Sequence, residues 1–336
     1  MSKFKVCVYC TAYNHEKYIR KTLEGFVKQK TDFDFYCIVH DDASTDNTAS
    51  IIREYERKYP DLIKGIYQKE NQYSKKISIV EKFISPKVDS DYIALCEGDD
   101  YWIDNLKLQR QVDALESHKD CYMCVHKTRE VYEDGRATGI TYPKENYEEG
   151  CLNIENLLSN DYCIHTSSYM FVSEKWLEFI QNPPEFKRTC DVGDVPYFLY
   201  FGYLGNIYYI PNIMSCYRRG VPTSWSASRA NLKGGKLIEN LASHAWIMFC
   251  TYTQYNDFTQ YRFNDICLGK SARCFLQYNT LRKTNVNFFR CEYLKYFMKL
   301  DLPCKSFVVL SILFPSIMKK WYLNRLDKLN KAKMGI

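Results

Sequence analysis

The stretch "YIALCEGDDYW", residues 92–102, runs from an apolar, strand-like segment into a turn that carries three carboxylates. Glu97, Asp99 and Asp100 surround one glycine, and like charges this close raise one another's pKa unless a cation or water relieves them. Carboxylate oxygens suit Mg²⁺ or Mn²⁺, and Mg²⁺ is typically held by one or two carboxylates together with substrate phosphates. The turn therefore predicts a metal site that binds a nucleotide diphosphate; the alternative is a solvated surface loop.

The sequence before this turn alternates apolar runs with helical patterns, which is typical of a parallel sheet built from βαβ units. Four runs predict strands: "FKVCVY", "FYCIVH", "LIKGIY" and "YIALC". After the first run, Ile19, Leu23, Phe26 and Val27 share one face of a helix predicted to begin near Asn14. "DDASTDNT" supplies capping side chains ahead of a second helix, and "NLKLQRQVDALE" predicts a third.

Beyond residue 120 the pattern is looser. It predicts a strand with a hairpin in "CYMCVHKTREVYEDG", a helix in "NIENLLSN" and an apolar, aromatic helix near "DVGDVPYFLYFGYLG". A strand "NIYYI" and a turn-rich segment "CYRRGVPTSWS" follow, and mostly helices are predicted after residue 228.

Polar loops follow three of the predicted strands. Because ligands bind at the carboxyl ends of the strands in an open parallel sheet, residues 11–14, 41–45 and 97–100 should converge on one crevice. The sequence contains no GxxxxGK[ST] loop and no GxGxxG after strand one, so ATPase and dinucleotide-binding functions have little support. The phosphates of a ligand would instead be held through a metal ion.

Four motifs in this order resemble those of one family. "VYCTAYNHEKYIRKTLEGFVKQ", "FYCIVHDDASTDNT", "ENQYS" and "YIALCEGDDYW" resemble the family 2 glycosyltransferases of the GT-A fold, and "GDVPYFLYFGYLGNIYYIPNIMSCYRRGVPTSW" looks like the acceptor-side region of bacterial polysaccharide-assembling members. The resemblance implies an α/β fold with a Rossmann-like, mostly parallel sheet flanked by helices. It implies a glycosyltransferase domain over 1–228, with a nucleotide-sugar half at about 1–120 and an acceptor half at 121–228. A helical region with a basic, apolar tail is expected over 229–336.

The resemblance also implies which side chains bind the nucleotide-sugar. The nucleotide pocket would be lined by Thr11, Ala12, Tyr13 and Asn14, with Asp42 on the base and Ser44 nearby. Apart from the resemblance, weaker candidates for phosphate or base contacts are Lys69, Asn71 and Lys76; the alternative is that they are simply solvated. Asp99 would be the main metal ligand, with Asp100 as its partner.

Glu97 stands where the family usually has aspartate. The longer side chain keeps the charge, so Glu97 is expected to assist at the sugar diphosphate instead of binding the ion. "YRRGVPTSW" offers Arg218 and Arg219 to neutralise the diphosphate, and Trp225 to stack on a sugar or base. Related enzymes often carry a metal-binding histidine in this region, and this chain has none there. The alternative role for Arg218 and Arg219 is a structural salt bridge.

Transfer with inversion needs a base that stands apart from the metal site. An acceptor hydroxyl attacks the anomeric carbon and loses its proton to a carboxylate. In "CDVGDVPYF" the family pattern, an Asp that opens the acceptor-side helix, maps onto Asp194, with Asp191 as the second choice. The alternative for Asp194 is a helix N-cap, which is compatible with catalysis.

The basic character of the chain lies in its tail. From Leu281 onward there are 12 Lys and Arg against 3 Asp and Glu, or +9, which leaves −3 for residues 1–280 of a chain of net charge +6. The 13 mostly apolar residues Ser306–Met318 are too short to span a bilayer but could lie in its interface. Alternatively, the tail packs on the catalytic domain or on a second subunit, as in a homodimer; the acidic remainder argues against nucleic-acid binding.

The cysteines and the amino-terminal residues favour the cytoplasm. No charged and apolar leader opens the sequence, and the 15 cysteines are scattered through apolar runs. Cys7 with Cys10, and Cys121 with Cys124, have zinc-ligand spacing, but residues three apart on a strand point to opposite faces, which argues against a shared ion.

These observations predict a metal-dependent, inverting glycosyltransferase. It would move one sugar from a nucleotide-sugar, with a UDP-sugar expected, to a hydroxyl of a growing, lipid-linked surface glycan such as capsule or lipopolysaccharide, at the inner face of the cell membrane. The processive members of the family carry QxxRW and transmembrane helices, which this sequence lacks. Two alternatives are a non-catalytic nucleotide-sugar-binding or assembly protein and a nucleotidyltransferase, although no glycine-rich, lysine-bearing loop follows strand one.

Overall fold

The computed structural model describes residues 4–159, 164–222 and 232–334. The chain divides into two compact units. Unit 1 comprises Met1–Pro183 and Tyr197–Ala230, and unit 2 comprises Pro184–Pro196 and Asn231–Ile336. The domain boundary near residue 228 stays a prediction.

Unit 1 is built on one ten-stranded mixed sheet. Its strands are β1 (Phe4–Ala12), β2 (Phe35–Asp41), β3 (Ile63–Tyr67), β4 (Ser90–Leu95), β5 (Tyr101–Trp102), β6 (Cys121–Val131), β7 (Ala137–Tyr142), β8 (Gly150–Leu152), β9 (Met170–Val172) and β10 (Asn206–Arg218). Their order is β3-β2-β1-β4-β9-β6-β10-β5, with β7 beside β6 and β8 beside β10. The first four strands in this order are parallel, and β6 is parallel to β10. The predicted α/β fold is confirmed.

Helices connect these strands and make up most of unit 2. They are α1 (Ile19–Val27), α2 (Thr48–Lys58), α3 (Lys107–Ser117), α4 (Ile154–Ser159), α5 (Ser173–Gln181), α6 (Glu185–Thr189), α7 (Val195–Leu204), α8 (Gly234–Phe258), α9 (Asn264–Arg282), α10 (Leu294–Lys299), α11 (Leu302–Leu313) and α12 (Pro315–Met334). Among the described residues, no helix is long and apolar enough to cross a membrane.

The core of unit 1 forms where α1 packs on the sheet. Ile19, Leu23 and Phe26 are fully buried with Val6 and Val8 of β1. Burial of each such side chain contributes roughly 1.5–3 kcal/mol, so the apolar face of α1 fixes its position over the sheet.

Helix α1 differs in two ways from its predicted form. It begins at Ile19 and not near Asn14, because Asn14 has a positive φ of 54° and belongs to the loop after β1. Val27 is only partly buried, whereas Thr22 and Gly25 lie on the buried face. Small residues there let α1 approach Trp102 and the acidic turn closely.

Strand β10 is longer than predicted. It extends the strand "NIYYI" through Arg218, into the segment predicted to be turn-rich. The extension forms because Cys216 pairs with Tyr101 on β5 and with Arg129 on β6. As a result Arg218 belongs to the sheet and not to a turn.

An aromatic cluster holds the helices of unit 2 together. Phe275 of α9 packs against Phe249 of α8, with ring centroids 5.1 Å apart, and against Phe288 at 4.9 Å. Val308 of α11 is fully buried in the same cluster. At this point the tail therefore packs on the other helices of unit 2. Its contact with the catalytic domain, with a second subunit or with a membrane stays a prediction.

A lysine lies in the core of unit 1. Lys107 is fully buried, and its ammonium nitrogen lies 4.0 Å from the centre of the Trp102 ring and 2.6 Å from Gln111 Oε1. Burial lowers the pKa of Lys107 from its ordinary value of 10.5 to about 7. The buried amine therefore lowers the free energy of unfolding at every pH at which the unfolded chain would carry the lysine charge.

We predict that Lys107→Met stabilises the protein near neutral pH and that the gain shrinks as the pH rises. The folded pKa lies below the unfolded one, so the cost of the lysine is full below the folded pKa of about 7 and vanishes above 10.5. Between these limits the gain should fall by roughly 1 kcal/mol per pH unit in denaturant unfolding. Lys144→Met, at an exposed position, is the control; a gain independent of pH would contradict the prediction.

Candidate active site

The acidic turn brings its three carboxylates together between β4 and β5. One ligand oxygen from each of Glu97, Asp99 and Asp100 lies within 4.8 Å of the others. Asp99 and Asp100 are buried, whereas Glu97 is exposed. This arrangement is a set of hard oxygen ligands, as Mg²⁺ or Mn²⁺ requires.

The backbone of the turn is held from three directions. The Thr22 hydroxyl of α1 lies 3.0 Å from the Gly98 carbonyl oxygen and 2.5 Å from that of Asp100. Arg218 Nη1 donates to the Asp99 carbonyl at 2.5 Å, and the Gly98 N–H donates to the Thr11 carbonyl at 2.9 Å. The turn is thus fixed to α1, β10 and the end of β1.

Gly98 permits this close approach. A Cβ atom there would lie 2.8 Å from His15 Nδ1 and 3.0 Å from the Ala12 Cβ. Contacts under 3.0 Å do not occur for real Cβ atoms, so any other residue would push the turn away from the loop after β1. The glycine between the carboxylates is therefore needed for space.

Asp100 is the most constrained carboxylate. Its Oδ1 accepts the Arg218 N–H at 2.8 Å, while Oδ2 is buried with no hydrogen-bond partner among the described residues. Burial, and then the charges of Asp99 and Glu97, raise the pKa of Asp100 well above its ordinary value. A buried oxygen without a partner, beside two other carboxylates, fits a divalent cation, which would supply the missing interaction.

Two histidines missed by the sequence reasoning flank the turn. His15 Nε2 lies 4.0 Å from Asp99 Oδ2, and His165 Nε2 lies 3.6 Å from Asp100 Oδ2. Burial lowers the pKa of both rings, that of His165 to about 3, so both are neutral near pH 7. His165 also stacks on Tyr217, with ring centroids 4.2 Å apart.

Arg218, the last residue of β10, and the adjacent Arg219 have different surroundings. The Arg218 guanidinium is buried between the rings of Tyr18 and Tyr101, 5.0 and 4.8 Å from their centres. Arg219 Nη1 lies 3.3 Å from Glu130 Oε1, the structural salt bridge that was the alternative for this residue. Trp225 lies outside the described residues. The contacts of the two arginines with a diphosphate, and the stacking of Trp225 on a sugar or base, stay predictions.

The loops after β1 and β2 are joined by hydrogen bonds. The Asn14 N–H donates to Ser44 Oγ at 2.9 Å, and the Thr45 N–H donates to Asn14 Oδ1 at 2.8 Å. The Asp42 N–H donates to the Ala12 carbonyl at 2.9 Å. Residues 11–14 and 41–45 therefore form one wall, as the convergence of strand ends predicts.

Two aspartates follow β2, and both are buried. Asp42 accepts the backbone N–H groups of Gln72 and Tyr73 at 2.8 and 3.0 Å, which fastens the loop after β3 to this wall. Asp41 was not among the predicted site residues; its Oδ1 is buried with no hydrogen-bond partner among the described residues, and burial raises its pKa. Lys76 is exposed in the same loop.

The two candidates for the base belong to unit 2. Asp194 directly precedes α7 and is half-buried; burial raises its pKa, while the backbone N–H groups of Asp194 and Val195 lower it. Asp191 Oδ1 lies 3.2 Å from His244 Nδ1. The structure thus gives Asp194 the position of a helix cap and a carboxyl group whose proton affinity is raised.

A protein-family comparison covers the region that carries this site. The model for "Glycosyl transferase family 2" matches residues 7–178. The chain belongs to glycosyl transferase family 2.

Two known proteins are similar to part of the chain. "Uncharacterized protein Rv1520" of Mycobacterium tuberculosis (strain ATCC 25618 / H37Rv) is 34% identical over 221 residues, which is 65% of this chain and 59% of that protein. "dTDP-rhamnosyl transferase RfbG" of Shigella flexneri is 32% identical over 114 residues, 33% of this chain and 38% of that protein. The chain thus spans about three fifths of the length of Rv1520 and less of RfbG.

A solved structure shares the fold. The crystal structure of S. aureus TarS 1-349 in complex with UDP-GlcNAc has a TM-score of 0.56 and 16% sequence identity, and the match covers 88% of this chain and 79% of that chain. The likeness concerns the fold alone.

For this family 2 protein we predict that Asp100→Asn stabilises the metal-free chain and removes its stabilisation by Mn²⁺. The raised pKa means that ionised Asp100 costs stability above the ordinary carboxyl pKa, and asparagine relieves a cost of roughly 1 kcal/mol. Thermal unfolding with and without Mn²⁺ measures both effects. Asp113→Asn, an exposed carboxylate of α3, is the control; an undiminished Mn²⁺ shift in Asp100→Asn would exclude Asp100 as a ligand.

Proposed function

We propose that this family 2 protein is a metal-dependent, inverting glycosyltransferase that transfers one sugar from a UDP-sugar to a hydroxyl of a surface glycan. The observation that carries the proposal is the acidic turn, with three carboxylate oxygens within 4.8 Å of one another. The turn is fastened by Gly98 to Thr11, at the end of β1, and Thr11 belongs to the wall formed by the loops after β1 and β2. A metal site beside a nucleotide pocket is the arrangement that binds a nucleotide diphosphate.

The donor would bind along the wall of residues 11–14 and 41–45. Each Asp42 oxygen accepts one N–H and keeps a lone pair, so Asp42 can accept the N3–H of a uracil base. Uracil and thymine present the same N–H and carbonyl groups on this edge, which accords with the names of TarS bound to UDP-GlcNAc and of the dTDP-rhamnosyl transferase RfbG. Tyr13, 37% exposed, offers a flat face beside the base.

Asp99 and Asp100 would hold Mg²⁺ or Mn²⁺, with Glu97 towards the sugar diphosphate. A divalent ion held there supplies positive charge where negative charge develops on the departing diphosphate. Arg218, whose guanidinium contacts the Asp99 carbonyl, orients the turn and adds a fixed positive charge behind it.

Asp194 would act as the base. In a single displacement the acceptor hydroxyl attacks the anomeric carbon, the bond to the diphosphate breaks, and Asp194 takes the hydroxyl proton. A carboxylate whose pKa is raised by burial holds that proton better than an exposed one. Inversion follows because the nucleophile and the leaving group lie on opposite faces of the sugar.

We predict that Asp194→Asn lowers transfer by about 10²-fold or more, the usual contribution of general acid-base catalysis. UDP binding should stay within about twofold of the original chain, because the base contacts the acceptor and not the nucleotide. Transfer is measured as Mn²⁺-dependent release of UDP from UDP-sugars, or of dTDP from dTDP-sugars, across a panel of donors, and binding by calorimetry.

Asp191→Asn is the matched control, since it changes a carboxylate three residues away that faces His244. Loss of transfer in Asp191→Asn, with activity kept in Asp194→Asn, would reverse the assignment. UDP binding without turnover in the unaltered chain would instead indicate a nucleotide-sugar-binding protein, and pyrophosphate release would indicate a nucleotidyltransferase.

The tail would bring the site to a lipid-linked acceptor at the membrane surface. Large apolar side chains of α11, α12 and their connection are exposed, namely Leu302, Val309, Leu310, Ile312, Leu313, Phe314, Ile317 and Trp321. Between Asp301 and Asp327 the sequence has no acidic residue and several basic ones. Apolar side chains flanked by basic residues are complementary to an anionic lipid surface.

We predict that replacing both Leu313 and Ile317, 63% and 65% exposed, by serine lowers binding to anionic vesicles by about tenfold or more. Binding of the original chain should weaken with salt and be small on zwitterionic vesicles, because each basic residue near the surface contributes about 1 kcal/mol. Tyr132→Ser, an exposed aromatic position in unit 1, is the control.

Co-sedimentation with vesicles measures the binding, and analytical ultracentrifugation measures the oligomeric state. Unchanged vesicle binding in the double variant would contradict the proposal. A dimer that dissociates in the double variant, without any vesicle binding by the original chain, would show that a second copy covers this surface.

A further inference from the structure

A second group of possible metal ligands lies away from the acidic turn, at the start of β6. Cys121 opens β6 and Cys151 lies in β8, and their sulfur atoms are 3.3 Å apart. A carboxylate oxygen of Asp120 completes the group, and all three ligand atoms lie within 4.8 Å of one another. Cys121 is buried, whereas Asp120 and Cys151 are exposed.

Asn206 of β10 fixes the carboxylate of the group. Its backbone N–H donates to the Asp120 carbonyl at 3.0 Å, and its side-chain amide donates to Asp120 Oδ2 at 2.7 Å. A carboxylate oriented in this way presents its other oxygen in a fixed direction. Metal ligands are commonly held by such outer hydrogen bonds, which makes this contact a second observation in favour of a site.

We propose that Asp120, Cys121 and Cys151 bind a thiophilic divalent ion, Zn²⁺ in the first place. Two thiolates and one carboxylate suit zinc, and the exposed side of the group leaves the fourth tetrahedral position to water. With Zn–S bonds of about 2.3 Å, tetrahedral zinc separates two sulfur ligands by about 3.8 Å. The sulfur atoms need only move apart by about half an ångström from their present 3.3 Å.

The ion would close a long loop. Cys121 and Cys151 are 30 residues apart, and the segment between them contains the hairpin of β6 with β7. Binding joins β8 to the start of β6, releases one proton from each thiol to solvent, and stabilises the folded chain by mass action. This site is independent of the proposed glycosyl transfer, because none of its ligands belongs to the acidic turn or to the nucleotide pocket.

Cadmium titration of the whole chain tests the proposal. Cd²⁺ replaces Zn²⁺ at thiolate sites and gives an ultraviolet charge-transfer absorption that carboxylate sites do not give. The acidic turn is saturated with Mg²⁺ and therefore contributes no such absorption. A phosphine reductant keeps the cysteines as thiols. The expected result is one equivalent of Cd²⁺ with thiolate absorption, which added Zn²⁺ displaces.

Three variants test whether the bound Cd²⁺ is held by these residues. Cys151→Ser, at an exposed position that tolerates serine, should lose about half of the absorption and weaken binding by about tenfold or more. Asp120→Asn should weaken binding while the absorption at saturation stays the same, because both sulfurs remain. Cys291→Ser, an exposed thiol of unit 2, should change neither; equal absorption in Cys151→Ser and the unaltered chain, or no thiolate absorption at all, would overturn the proposal.

Discussion

Three carboxylates within 4.8 Å of one another repel, and the surrounding structure holds their backbone in place against that repulsion. Thr22 and Arg218 hydrogen-bond to the carbonyl oxygens of the turn, while Gly98 allows it to lie against the loop after β1. These contacts come from a helix and from the far end of the longest strand. The turn therefore keeps its shape because α1 and β10 are packed on the sheet, and the position of the carboxylates depends on the fold of unit 1.

The wall formed by the loops after β1 and β2 depends on the same packing, and its backbone contains local strain. Ala43 has a positive φ of 61°, which L-residues other than asparagine and aspartate rarely adopt, whereas Asn14, at 54°, is of a type that adopts it more readily. Both residues lie at the ends of adjacent parallel strands, where the hydrogen bond from the Asn14 N–H to Ser44 joins the loops. Strained backbone of this kind persists only where the surroundings determine it, and it is concentrated at functional sites.

The sequence predicts those parts of the site that follow directly from the order of strands and loops along the chain. The apolar runs identify β1 to β4, and the rule that ligands bind at carboxyl ends places Asn14, Asp42 and Asp99 in one region. The short strands β5, β8 and β9 have only two or three residues each. Such strands have no periodicity to detect, because their partners in the sheet determine them.

The surroundings of the carboxylates could not be predicted for a related reason. Thr22 is an ordinary helical residue in the sequence, and His165 is more than sixty positions from Asp100, so only the folded chain brings them to the turn. Arg218 has surroundings that its charge alone does not predict, because its guanidinium lies between two tyrosine rings. Its contact with a diphosphate stays a prediction.

The charges around Asp100 explain why this site would need an ion. His15 and His165 are neutral near pH 7, because burial lowers their pKa, and so they do not offset the negative charge of the turn. Arg218 supplies positive charge, but its hydrogen bond goes to a carbonyl and its Nε is buried without a hydrogen-bond partner among the described residues. One guanidinium against the two buried carboxylates, Asp99 and Asp100, leaves a buried excess of negative charge when both are ionised, which low-dielectric surroundings make costly. A divalent cation bound there would offset that excess, so the same charges that cost stability in the protein alone would favour the binding of a cation.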